Sequence, residues 1–203
     1  RMQIIELERV LADSSEGVYL VSTTASEREL VSTKLPLPFP VSGARPLSID
    51  FFRNSALLAS DTKLVKLNWK NGKTEYKSLI DGFALRSARF ACQGTAAIGT
   101  TEHGQIFFQR FDKKANRVLF FVDPGGAIEV DIDNDCHNII VATRDSGGKL
   151  YRVTETGIEF MRYLGSSGPT VGVKISANGK WALTSTNEQR SYLWHLATGV
   201  RLA

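Results

Sequence analysis

The chain has 203 residues, 42% of them hydrophobic and 23% charged, with a formal net charge of +4. That balance excludes bulk disorder and leaves ample length for one sizeable core, with nothing that forces a second domain. The mild positive charge permits an acidic partner without requiring one, and the longest unbroken apolar run, Val118–Val122, is far short of the roughly twenty residues a bilayer demands, so no membrane insertion is expected.

In chain order, Met2–Leu11 alternates poorly, whereas Tyr19–Thr24 and Glu29–Lys34 are rich in β-branched residues and read as strands. Pro36, Pro38 and Pro40 break any ladder and mark a long connection to Arg45-Pro46. Strand-like runs then come in threes. Ile49–Phe51 leads to Ala56–Ser60 and Leu64–Trp69, followed by an outer turn at Asn71-Gly72. Ala88–Phe90 leads to Ala96–Thr100 and Gln105–Phe111, in the most aromatic part of the chain, which ends at Asp123-Pro124-Gly125-Gly126. Val130–Ile132 leads to Ile139–Thr143 and Leu150–Val153. Val171–Ser176, Lys180–Thr186 and Ser191–Leu196 close the series, with Asn178-Gly179 supplying a strong hairpin signal between the first two. After Gly199 too few residues remain for an outermost strand to be expected.

The copies obey one period. GVYLVSTT from Gly17 lies without a gap on GKWALTST from Gly179, four steps of roughly forty residues apart. With Trp194-His195 standing where a Trp-Asp pair would, the last copy resembles the β-propeller repeats of the WD40 class. The expected fold is therefore all-β: a propeller of WD40-like four-stranded blades in about five repeats, near residues 1–40, 41–82, 83–124, 125–166 and 167–203. Phe51, Phe90, Ile132 and Ile175 are expected at matching innermost-strand positions. Either Met2–Leu7 completes the last blade of a small closed ring, or the chain is part of a larger or partner-completed one. The second is favoured.

Catalytic motifs are absent: there is no Gly-x-Ser-x-Gly elbow, no phosphate-cradling glycine loop and no His-Glu-x-x-His. His103, His137 and His195 fall in different copies, so no metal site and no cofactor are expected. Asp131–Asp135 opens like a calcium loop, but Cys136 and Ala142 stand where the loop needs Gly and Glu; Asp131 and Asp133 are better read as flanking an inward Ile132. Cys92 and Cys136 occupy equivalent turns of adjacent copies, expected to lie beyond disulfide reach. Two unpaired thiols, no Asn-x-Ser/Thr sequon and no secretory pattern after Arg1 point to a reducing intracellular setting, cytoplasmic or nuclear.

The resemblance implies a partner-binding face built from inter-blade loops and second-to-third-strand turns. On this chain those positions are Arg45, Phe83, Arg86, His103, Arg144, Asp145, Glu188 and Arg190. The expectation is a non-catalytic scaffold that docks a protein or peptide partner within a larger complex. The alternative is an RNA- or ribonucleoprotein-binding module using Lys63, Lys66, Lys70, Lys73 and Lys77, which cluster around Trp69 and Tyr76.

Overall fold

A computed structural model describes residues 9–13, 17–23, 30–35, 48–53, 55–59, 63–70, 73–111, 118–145, 147–165 and 168–202. They fall into two compact units, Arg1–Pro46 and Leu47–Ala203. The first holds one antiparallel sheet, β1 (Arg9–Asp13), β2 (Gly17–Thr23) and β3 (Leu30–Leu35), in that order.

The second unit is four antiparallel sheets of four strands, each drawn from one continuous stretch and laid down in chain order. Sheet 2 is β4 (Ser48–Phe52), β5 (Ser55–Ala59), β6 (Lys63–Lys70) and β7 (Lys73–Asp81). Sheet 3 is β8 (Leu85–Ala91), β9 (Ala96–Thr101), β10 (Gln105–Arg110) and β11 (Val118–Val122). Sheet 4 is β12 (Ala127–Ile132), β13 (Asn138–Thr143), β14 (Gly147–Val153) and β15 (Ile158–Leu164). Sheet 5 is β16 (Thr170–Ile175), β17 (Trp181–Thr186), β18 (Ser191–His195) and β19 (Val200–Arg201). The first strands of neighbouring sheets meet, β4 with β8 and β12 with β16, as a propeller-like arrangement requires. The last sheet does gain an outermost strand, contrary to expectation: Val200 and Arg201 suffice to pair with His195 and Trp194. Met2–Leu7 and the Asn71-Gly72 turn lie outside the described residues.

Sheets 3 and 4 carry apolar side chains on both faces, and the described core lies between successive sheets from 2 to 5. Leu57, Leu64 and Ile80 of sheet 2 pack with Leu85, Ala97 and Phe107 of sheet 3. Ile98, Ile106 and Phe108 on the other face of sheet 3 pack with Val130, Ile139, Val141 and Tyr151 of sheet 4. Ile140, Ala142 and Leu150 then meet Val173, Ala182 and Trp194 of sheet 5. Trp194 is buried and donates its indole N–H to Thr184 Oγ1 at 2.9 Å. Gly99 admits no side chain, because a Cβ would collide with the Ser87 carbonyl and the Phe107 ring. The same irregularity recurs in the first strand pair of sheets 3, 4 and 5, where Arg86, Ile128 and Val171 are each an extra residue in the ladder. Such bulges bend a strand and increase its twist.

Cys92 and Cys136 form a disulfide, which overturns the expectation of two free thiols. Equivalent turns set a whole blade apart would lie out of reach. First strands converge, however, and bring the β8–β9 and β12–β13 turns to a Cα separation of 5.2 Å. With the pair joined, the cysteines no longer argue for a reducing compartment. No helix among the described residues is long and apolar enough to cross a membrane.

Candidate functional site

Strands within a sheet alternate in direction, so second-to-third-strand turns and inter-sheet connections gather at one end. Hydrogen bonds tie them in pairs there: Glu102 N–H to Ala84 O at 2.8 Å, Arg144 N–H to Gly125 O at 3.1 Å, and Asn187 N–H to Pro169 O at 3.4 Å. The described residues of the expected face lie at this end, each with its own surroundings. Phe83 stacks on Phe120 with ring centroids 4.5 Å apart, and Arg86 pairs with Glu102 at 3.6 Å. Glu188 and Arg190 face each other at 3.9 Å, and His103 and Arg144 are exposed. Arg45 lies outside the described residues.

Asp145 is different. It lines a cleft of about 540 Å³ between the outer strands of sheets 3 and 4, walled by Phe121, Tyr151, Phe160 and Tyr163, with Lys149 at its side. Concave, mostly apolar sites with a few convergent polar groups are where small ligands bind. Phe160 and Tyr163 are exposed and meet edge to face at 4.9 Å, and Tyr151 meets Phe160 at 5.6 Å, so the wall of the cleft is a continuous run of aromatic rings. Asp145 carries no hydrogen bond or ion pair to another described residue.

Beneath this wall sits a buried polar cluster. Asp123 begins the tight connection from β11 to β12, where Gly125 N–H donates to its Oδ1 at 2.7 Å. Lys149 Nζ, on β14, donates to the same oxygen at 2.5 Å, and Tyr151 OH donates to Oδ2. Alternation along β14 places both 149 and 151 on one face, so one carboxylate collects two donors from a single strand. Burial, and then the hydrogen bond to the Asp123 carboxylate, push the Tyr151 phenol well above its ordinary range and keep it neutral. An ammonium has three donors. Among the described residues, Lys149 makes one hydrogen bond, to Asp123, and lies 5.6 Å from the Tyr163 ring centroid. The other two N–H bonds of this buried cation meet no acceptor among the described residues beside the cleft.

Sequence reading picked out Asp145 but missed Asp123, Lys149, Tyr151, Phe160 and Tyr163. No motif joins them, because they come from two sheets and meet only through the β11–β12 connection. The one legible signal was the alternation of Lys149 and Tyr151 within a strand.

A second charged group lines the first strands. Arg89 grips Glu129 at 2.7 Å and Asp131 at 3.1 Å, and Lys174 approaches the same carboxylates at 4.0 and 3.9 Å. The other oxygens of these acids accept the Val173 and Ile175 N–H groups, and Asp50 likewise accepts from Phe90 N–H at 2.6 Å. These acids are committed to satisfying the edges of neighbouring first strands.

Two members of the lysine cluster are engaged within the fold. Lys63 pairs with Asp81 at 3.5 Å, and Lys66 turns its ammonium onto the Phe111 and Phe90 rings at 4.5 and 5.8 Å. Burial, then repulsion from Lys77 across the ladder, lowers the Lys66 pKa from its usual value. Lys77 is exposed, and the side chains of Lys70 and Lys73 lie outside the described residues. No group of three or more metal-ligating side chains occurs among the described residues.

No family profile matches the chain, and no curated protein matches it. Among solved structures it is similar to a protein from Bacteroides uniformis ATCC 8492 described as a candidate 6-phosphogluconolactonase, with a TM-score of 0.67 and 14% identity. The match covers 97% of this chain and 66% of that one, so the chain spans just under two thirds of the length of the protein it matches. The likeness is one of fold. It corrects the expectation of a non-catalytic scaffold, because the protein of similar fold is described as an enzyme. The expectation rested on missing motifs, whereas the acid and the cation at the cleft are assembled from positions that form none.

Proposed function

We propose that the chain belongs to a propeller hydrolase that opens a cyclic ester of a sugar acid, with the reaction in the cleft beside Lys149. The buried Lys149 ammonium, with donors to spare, carries this reading, and the fold likeness supports it. Opening a lactone needs water activated by a base and a cation where the carbonyl oxygen becomes an oxyanion. Asp145 takes a proton from water, the hydroxide adds to the ester carbon, and Lys149 N–H groups hold the oxyanion. The intermediate collapses with cleavage of the ring C–O bond, and the proton on Asp145 passes to the departing ring oxygen, giving the open hydroxy acid. Phe160 and Tyr163 supply faces for the C–H side of the ring, and Asp123 with Tyr151 fixes the lysine in place. The Trp194–Thr184 bond supports WD40-type kinship for sheet 5.

The test is hydrolysis of 6-phosphogluconolactone and of unphosphorylated gluconolactone, measured against spontaneous opening. Asp145→Asn should lower kcat by about 10²–10³-fold with little change in KM. A wild-type rate no faster than the spontaneous one for either lactone refutes the reading.

A further inference from the structure

Two carboxylates and one ammonium stand at the cleft. Asp145 and Lys149 line it, and Asp123 is buried against Lys149 at 2.5 Å. Asp123 already balances the lysine, so the charge left over among the described lining residues is the negative one on Asp145. The neighbouring Arg144 is exposed and is not a lining residue. The rest of the wall is apolar or aromatic, and its rings touch in series from Phe121 through Tyr151 and Phe160 to Tyr163, with centroids 5.2, 5.6 and 4.9 Å apart.

Sites that hold a phosphate are built from arginine forks, lysines or helix N-termini. Of these the described lining has Lys149 alone, and Asp123 neutralises it. A phosphate entering here would give up water for aromatic rings and would meet the repulsion of Asp145. A neutral ring lactone meets neither cost. Its C–H face lies on the rings, and its carbonyl oxygen becomes charged only during the reaction, beside the two Lys149 N–H bonds that meet no acceptor among the described residues.

We infer that the cleft accepts lactones without a phosphate or other anionic substituent, and that the charge on Asp145 turns the anionic ones away. The inference rests on the hydrolase reading for the kind of ring it names, and it goes further in dividing charged lactones from uncharged ones.

Stable lactams, with N–H in place of the ring oxygen, separate binding from turnover. In titration calorimetry, wild type should bind gluconolactam at least about tenfold more tightly than gluconolactam 6-phosphate. Asp145→Asn should tighten the phosphorylated lactam about tenfold and leave the neutral one within about twofold. Equal or tighter binding of the phosphorylated lactam to wild type, no binding of the neutral one, or an equal shift of both in Asp145→Asn overturns the proposal. The hydrolase reading fails separately. Lactam selectivity without faster opening of either lactone refutes that reading and upholds the selectivity, whereas faster opening with a preference for the phosphorylated lactone does the reverse.

Discussion

Cys92 and Cys136 face each other across the joint between sheets 3 and 4, and both take left-handed backbone angles, with φ of 54° and 61°. Gly179 fills the place of Cys136 in the corresponding turn of sheet 5, with φ of 65°. Each turn is closed by a hydrogen bond three residues back, Cys136 N–H to Asp133 O and Gly179 N–H to Ser176 O. A non-glycine residue there costs about 1–2 kcal/mol. A free thiol offsets none of that, whereas a cross-link closing a 44-residue separation stabilises by about 4 kcal/mol.

The Cys92→Ser/Cys136→Ser double variant should therefore lose about 4 kcal/mol in denaturant melts. Reductant should lower the stability of wild type by a similar amount and leave the variant unaffected. Equal melts in both forms would show that the bond contributes nothing.

Removing Lys149 should be costly before any chemistry is considered. Lys149→Met leaves the Asp123 carboxylate buried without its cation, a loss of about 3–5 kcal/mol. Adding Asp123→Asn should recover part of that, because the remaining group is neutral. A double variant no more stable than Lys149→Met alone would place the cost elsewhere.

Tyr151 makes a pH prediction with a definite sign. Its pKa is raised in the fold, so the unfolded chain ionises first, at the ordinary tyrosine value of 10.0. Its contribution is complete below that pH and falls away as pH rises above it. Tyr151→Phe should flatten the alkaline limb of the stability profile between about pH 10 and 12 while leaving its shape near neutrality unchanged.

For Lys66 the sign is reversed. The fold disfavours its charged form, so the penalty is present in full below the lowered pKa and is relieved as pH rises toward 10.5. Lys66→Met keeps the packing on Phe90 and Phe111 and should raise the thermal midpoint at neutral pH. A lower midpoint would mean that the cation–ring attraction, about 0.5–1 kcal/mol, outweighs burial.

Much of the strand order was legible in the sequence, because each repeat carries its own turn signals and its own alternation. Phe90 and Ile132 do stand on first strands, but Phe90 is only half-buried, since its ring lies on the rim beside Phe111 and Lys66. Phe107 is fully buried, so Phe107→Ala should cost about 3–5 kcal/mol and Phe90→Ala less. The disulfide and the cleft were not legible, for a shared reason. Both depend on how closely adjacent sheets converge, a distance that periodicity within one strand does not encode.

The alternation of Asp50, Arg89, Asp131 and Lys174 has a consequence for how the sheets find one another. Four units of the same shape could stack in many wrong sequences, since any apolar face can cover any other. Charge sorts them: two basic first strands brought together would repel, and two acidic ones would leave Arg89 without its grip on Glu129 and Asp131. Opposite charges at successive positions therefore favour the native neighbour over a like-charged one. Reversing the charges with Arg89→Asp and Asp131→Arg together should be tolerated far better than either change alone.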